Sequence, residues 1–331
     1  MRTALTERLG LRAPIVQAPM GGASPPALAA AVSNAGALGM LALSWHPPEA
    51  ARAAIRATRA LTDRPFGVNL VLAFPQDERL AICLEEKVAA VSFFWGDPAP
   101  YVGACHAAGA VVLSTVGSAA QAGADIEAGV DMVVAQGWEA GGHVLGAVAT
   151  LPLVRAVVEA VSPTPVIAAG GISDGRALAA VLALGAAGAW IGTRFLATPE
   201  AGVHARYRER LLQADEASTV HTRLFDVGWP DAPHRVLRNP TFDAWEAAGR
   251  PDTGARPGEG EPVARTPRGA IPRYASTTPG ADATGDIDAL SLWCGQGVSG
   301  VKAVMPAAEV IREIVDEATA VIRALPRETM A

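Results

Sequence analysis

Eight short apolar runs recur between residues 15 and 192, and this rhythm restricts the chain to very few folds. The expected strands are 15–18, 38–41, 66–70, 90–94, 111–115, 132–135, 165–168 and 189–192, with Ala-rich helical patterns such as 26–34, 48–59 and 175–184 between them. Strands that read as unbroken apolar runs are buried on both faces, as in parallel sheets covered by helices. Eight such strand–helix repeats satisfy a closed parallel barrel. An open doubly wound sheet is the competitor, and its first strand usually runs into Gly-x-Gly-x-x-Gly. Here that strand runs into Pro19-Met20-Gly21-Gly22, which is a different turn. The expected fold is therefore α/β, a (β/α)8 TIM barrel.

The rhythm stops after Leu212. Residues 226–285 are rich in Pro, Gly, Arg and Asp, a composition that cannot bury a core of its own. This stretch is either a flexible insert or a loop pinned to the barrel by Trp229, Phe242, Trp245 and Tyr274. Helical spacing returns over 304–325, where Val310, Ile311, Ile314, Val315, Val321 and Ile322 mark one apolar face. The expected division is a barrel core over 1–225, an insert or lid over 226–290, and a C-terminal segment with a closing helix over 291–331.

Composition removes several function classes. The 331 residues carry a net charge of −6 and no long basic run, so nucleic-acid binding has no electrostatic footprint. The three cysteines form no CxxC pair, which fits a reducing cytoplasm and no disulfide framework. No uninterrupted apolar run reaches the length of a membrane span, and residues 1–14 do not read as a signal peptide. His106, His204, His221 and His234 show no pairwise ligand spacing, so no metal is expected.

In a TIM barrel the reactive groups stand on the loops at the carboxyl ends of the strands. Those positions hold Ala18, Met20 and Gly21 after strand one, Asn69 at strand three and Thr115 at strand five, with Ser114 as the alternative beside it. Strand six leads through Gln136 and a glycine turn, Gly141-Gly142, to His143. Strands seven and eight end in Ala169-Gly170-Gly171 and Gly192-Thr193. Glycine turns entering helices expose backbone N–H groups to a phosphate, and Asp174 has the look of a helix N-cap. Asn69, Thr115 and Gln136 can satisfy a heterocycle with alternating N–H and C=O edges, while Met20 offers a soft floor to an aromatic ring. One phosphate site and a flat ring describe flavin mononucleotide (FMN) better than a nicotinamide dinucleotide. Each residue also has an ordinary structural reading: Asn69 can cap a turn, and Gln136 can satisfy loop backbone. Trp95 and Trp138 are candidates for the pocket wall or for loop packing, and Glu139 for orienting His143 or capping its loop.

Taken together, the segments Gln17-Ala18-Pro19-Met20-Gly21-Gly22, Gly67-Val68-Asn69-Leu70, Gln136-Gly137-Trp138-Glu139-Ala140-Gly141-Gly142-His143, Gly170-Gly171-Ile172 and Gly192-Thr193-Arg194-Phe195-Leu196 resemble the nitronate monooxygenases, formerly called 2-nitropropane dioxygenases. Gly295-Gln296-Gly297-Val298 is similar to their late flavin-contacting segment. The resemblance covers residues 14–212 and 290–315. It implies an FMN-dependent barrel acting on a small-molecule substrate and dioxygen, with His143 as the base that deprotonates a neutral nitroalkane. It also implies flavin contacts from Asn69, Thr115, Gln136, Gly141, Gly170, Gly171, Gly192, Thr193 and Gln296. Flavin-dependent enoyl-thioester reductases and NAD(P)H:quinone reductases share this scaffold and histidine, and form the alternative. A flavin-binding protein without catalysis has no positive support in the sequence. A monomer or homodimer is expected.

Overall fold

Parallel pairing organises all eight apolar runs in the computed structural model, which describes residues 1–328. The strands are β1 (Ile15–Gln17), β2 (Gly39–Ala42), β3 (Phe66–Val71), β4 (Ala90–Phe94), β5 (Val111–Val116), β6 (Met132–Gln136), β7 (Val166–Ala169) and β8 (Gly188–Ile191). β1 pairs with β8, and from β8 the sheet continues back through β7 and β6 to β2, every pair parallel. The remaining gap lies between β2 and β1. A parallel bridge at Val16 and Leu38 spans it, with Leu38 donating to the Ile15 carbonyl at 3.0 Å and Gln17 to the Leu38 carbonyl at 2.9 Å. The Gln17 side chain adds a third tie, accepting from the Met40 amide at 3.0 Å.

Strand alternation sorts the apolar side chains into two cores. Outward residues such as Val133 and Ala135 pack under the surrounding helices, whereas Val16, Leu38, Met40, Leu113, Met132, Val134 and Ile167 fill the barrel interior. Leu5 and Leu9 of the N-terminal helix Ala4–Leu9 join that interior cluster. Full burial stabilises side chains of this size by about 1.5–3 kcal/mol each. The expected strand edges shift by a residue at β7 and β8. Pro165 has no N–H to give a ladder, and Gly192 has already left the sheet as the cap of helix Thr193–Leu196. Gly188 opens β8 opposite Ile167, and only glycine fits there, since a β-carbon would stand 2.6 Å from the Pro14 carbonyl oxygen.

The Pro/Gly-rich stretch does have a small core, contrary to what its composition suggests. Leu224, Phe225, Val236, Phe242 and Tyr274 cluster there, all buried. Pairing begins before residue 226. Thr219–Thr222 is antiparallel to His234–Leu237, whose His234 and Arg235 pair with His143 and Gly142 of the glycine turn. Helix Pro240–Ala247 follows, capped by Asn239, whose side chain accepts from the Phe242 amide at 3.0 Å. A hairpin, Pro262–Thr266 with Gly269–Pro272, completes the segment. Polar sequence is ordered here by Arg256, whose side chain is 3% exposed. Its guanidinium meets Asp226 at 2.8 Å and Glu259 at 2.5 Å, donates to the Leu224 carbonyl, and lies over the Tyr274 ring.

The closing helix is Ala307–Glu328, starting three residues later than its apolar spacing suggests. Its start lies beyond Pro306, and the Glu200 carboxylate accepts from the Ala307 amide at 3.2 Å. The helix packs along Gly175–Ala183, where Glu317 accepts from the Gly175 amide at 2.8 Å.

Candidate active site

A cavity of about 910 Å³ opens at the carboxyl ends of the strands. Its wall contains Ala18, Met20, Gly21, Asn69, Thr115, Gln136, Gly141, Gly142, His143, Ala169, Gly170, Gly171, Gly192 and Thr193, so one space brings these sequence candidates together. Gln296 lies apart from them. It lines a polar pocket of about 570 Å³ that adjoins the first through Gly171 and Gly297.

Local hydrogen bonds explain how each residue is presented. On β5 the alternation settles the choice between neighbours: Thr115 lines the cavity, whereas Ser114 does not and stands near Asp125. The Asn69 amide nitrogen donates to the Ser92 carbonyl at 3.1 Å, which fixes the rotamer of a side chain at the barrel mouth. Gln136 is engaged at both ends, donating to the His143 carbonyl at 2.9 Å and accepting from the Leu145 amide at 3.2 Å. Its amide therefore clamps the histidine loop, which is the structural role open to it in the sequence. Glu139 does not orient His143. Its carboxylate accepts from the Thr150 amide and hydroxyl, both at 2.8 Å, and so caps helix Thr150–Val161. Asp174 caps helix Gly175–Ala183 through the Ala177 amide at 2.8 Å. The C-terminal segment is tied in by Gly295, which donates to Thr193 Oγ1 at 3.0 Å, and by Gln296, whose amide meets the Glu139 carbonyl at 2.9 Å. Gly141 permits that approach, since a β-carbon there would stand 2.4 Å from the Gly295 nitrogen. Arg194 braces the loop after β8, donating to the Ala303 carbonyl and the Met305 sulfur.

His143 occupies an aromatic corner. Its ring stacks on Trp229 with centroids 4.0 Å apart and an interplanar angle of 29°, and Trp293, His234 and Trp95 surround it at 5.2, 5.5 and 6.0 Å. The residue is half-buried as a whole, yet its Nε2 is shut off from water and has no partner among the described residues. Burial of that nitrogen, with a smaller contribution from His234, pushes the His143 pKa down to about 3. His234 is fully buried, its Nδ1 2.9 Å from the Ala232 carbonyl and its Nε2 accepting from the Phe225 amide at 3.3 Å. Burial pushes its pKa down to about 4. Both imidazoles are neutral at pH 7.

These shifts carry a consequence for stability. Each folded-state pKa lies below the ordinary 6.5, so the unfolded chain binds more protons as pH falls from 6.5 towards 4. Stability is then complete above pH 6.5 and declines below it, by about 1.5 kcal/mol per histidine between pH 6.5 and 5. Urea denaturation at pH 7.5 and 5.0 should show the lower midpoint at pH 5.0, and His234→Phe should reduce the difference. Equal midpoints would contradict neutral burial.

Several wall residues have no clear mark in the sequence. Trp293 is a lone aromatic ahead of Gly295-Gln296-Gly297, and nothing in its spacing points inward. Arg268, at the turn of the Pro262–Thr266 hairpin, lines the cavity too, and so do Trp45 and His46 after β2, where the sequence leaves His46 open to a place at the mouth or an ordinary loop-to-helix entry. Trp95 packs on Trp229 rather than lining the space itself, and Trp138 lies on His221, with centroids 3.8 Å apart, outside the cavity.

A glycine-lined space at the strand ends of a closed barrel, with the neutral imidazole of His143 in its wall, defines a class: TIM-barrel enzymes that act on a ligand held by loops over the barrel mouth. Within that class the family is definite. The nitronate monooxygenase family model matches residues 2–78 and 71–317, and the chain belongs to this family of oxidoreductases. It is 37% identical to a nitronate monooxygenase of Pseudomonas aeruginosa, over 96% of this chain and 99% of that protein. It is also 41% identical, over 76% of this chain and 70% of the relative, to a (3aS,4S,5R,7aS)-5-hydroxy-7a-methyl-1-oxo-octahydro-1H-indene-4-carboxyl-CoA dehydrogenase of Mycobacterium tuberculosis. Among solved structures, FabK from Thermotoga maritima superposes with a TM-score of 0.83 at 35% identity, covering 98% of this chain and 99% of that one.

Proposed function

We propose that this chain is an FMN-dependent nitronate monooxygenase, converting alkyl nitronates, and nitroalkanes after deprotonation, with dioxygen to a carbonyl compound and nitrite. The observation that carries the reading is His143: a residue with a neutral imidazole that lines a cavity which the glycine turns leave open to a flat ligand. The residues fit a flavin. Gly170 and Gly171 have φ of +105° and +72°, a backbone shape that leaves room for a phosphate beside the turn. Thr115, Asn69 and Met20 would hold the ring system, and Gly192 and Thr193 would hold the phosphate end. Bound flavin supplies the one-electron chemistry with dioxygen that no side chain can perform.

The protein's part is proton transfer and exclusion of water. For a neutral nitroalkane, the His143 imidazole takes the proton from the carbon beside the nitro group, and the nitronate charge that forms stabilises the imidazolium. A preformed nitronate needs no such step. Gln136 holds the backbone on both sides of this imidazole, so it acts by positioning. The division into a barrel core over 1–225, a lid over 226–290 and a C-terminal segment over 291–331 goes with this reading, as does action in the cytoplasm as a monomer or homodimer. No described helix is long and apolar enough to cross a membrane.

One observation favours a second reading. The dehydrogenase relative and the FabK neighbour resemble the chain as strongly as the monooxygenase does. An FMN-dependent reductase of enoyl thioesters or quinones would take its electrons from NADH or NADPH. Anaerobic mixing of the yellow protein with propyl nitronate, NADH or NADPH separates the two, with flavin absorbance as the readout. Rapid bleaching by the nitronate and slow bleaching by both pyridine nucleotides is expected. The reverse pattern would replace the first reading by the second.

A further inference from the structure

We infer that Trp229 determines substrate specificity, selecting nitro compounds with an apolar alkyl or aryl substituent over those with a charged one. The inference rests on the proposed reaction and names the substrate class of that site. Trp229 is 6% exposed and belongs to the insert, yet its ring lies on His143 and also meets Trp95 at 5.2 Å, Phe74 at 5.4 Å and Trp45 at 6.0 Å. The loops after β2, β3 and β4 thus converge with the insert on one indole. A substrate whose reacting carbon faces His143 has this aromatic wall as the neighbour of its substituent.

The wall is chemically one-sided. Among the described residues lining the cavity there is no carboxylate and no lysine, and the one permanently charged side chain is Arg268, exposed at the hairpin turn. Beside His143 the available contacts are dispersion and aromatic faces, which reward apolar groups and leave a carboxylate desolvated without a partner. The position of Trp229 is itself held. Its amide donates to the Asp226 carbonyl at 3.0 Å, Gly228 takes φ of +100° within that turn, and the Asp226 carboxylate is the one gripped by Arg256. An ion pair of the insert therefore sets a ring of the substrate pocket.

The test is equilibrium binding, read by quenching of tryptophan fluorescence, which nitro compounds cause and which needs no turnover. The probes are nitroethane, 1-nitrohexane and 3-nitropropanoate at pH 6, with wild type, Trp229→Phe and Trp229→Ala. Trp45 and Trp293 remain in the cavity wall of both variants as reporters. Wild type should bind 1-nitrohexane more tightly than nitroethane and 3-nitropropanoate most weakly. Trp229→Ala should lose about tenfold in affinity for 1-nitrohexane and about twofold or less for nitroethane, whereas Trp229→Phe keeps the order. An unchanged ratio of the two affinities in Trp229→Ala, preference for the carboxylate probe, or no binding of any probe to wild type would overturn the inference. Graded binding in a protein that does not oxidise nitronates would leave this inference standing and remove the proposed reaction instead.

Discussion

Replacing His143 with Ala should slow the oxidation of neutral nitroethane by about 10²–10⁴-fold while changing the rate with ethyl nitronate far less. The difference arises because only the neutral substrate has a proton to lose. The imidazole is suited to accept it in one respect and poorly suited in another. With its pKa held at about 3, it is unprotonated across the whole working range, so every molecule carries the base form. A base this weak in the free protein gains strength only when negative charge develops beside it, as it does when the nitronate forms. Two measurements follow from the same argument. In wild type the rate with nitroethane should show no loss assignable to His143 as pH falls from 7 to 5, because the folded pKa lies below that window. The rate ratio between the two substrate forms, taken at one pH for His143→Ala and wild type, isolates the proton step. An equal loss on both forms would assign His143 to holding the anion.

The barrel was legible because parallel strands buried on both faces leave an apolar trace that turns and helices interrupt at regular intervals. The strand-end residues were legible for the same reason, since fixing the strand ends fixes which side chains reach the mouth. Thr115 against Ser114 required coordinates: both sit at the same strand end, and only their opposite sides of the strand separate them, Thr115 lining the cavity. Gln136 and Glu139 show a different limit. Each carries polar groups able to face a ligand, yet their partners, the backbone at His143 and Leu145 and the amide of Thr150, are set by loop conformation. The insert was the least legible part. Its order comes from one buried arginine with two carboxylates and from five buried apolar side chains scattered between residues 224 and 274, a pattern with no period. For that reason Trp229 stood out only as an aromatic in polar sequence, with nothing to place it on the histidine.

Gly171→Asp should abolish flavin binding while leaving a folded barrel, and Gly171→Ala separates the two causes that could produce this. Gly171 has φ of +72°, so any side chain there strains the backbone by about 1–3 kcal/mol. Space is not the obstacle, since a β-carbon would find only the Glu139 side chain, at an ordinary 3.6 Å. Alanine therefore tests strain alone and should keep most of the flavin with a modestly lower melting temperature. Aspartate adds a negative charge where the proposed phosphate accepts from the turn, and like charges at that distance repel in a partly enclosed site. The adjoining wall amplifies the effect. Gly297 lies against the same residue so closely that a β-carbon on it would stand 2.9 Å from the Gly171 carbonyl, and the loop cannot swing the carboxylate away without moving that segment. The measurement is the flavin-to-protein absorbance ratio after purification and again after incubation with FMN, alongside the melting temperature of each variant. Wild type should hold FMN near one per chain, alanine most of that, and aspartate none at a melting temperature close to that of alanine. Full flavin content in Gly171→Asp would move the proposed phosphate site away from the turn after β7.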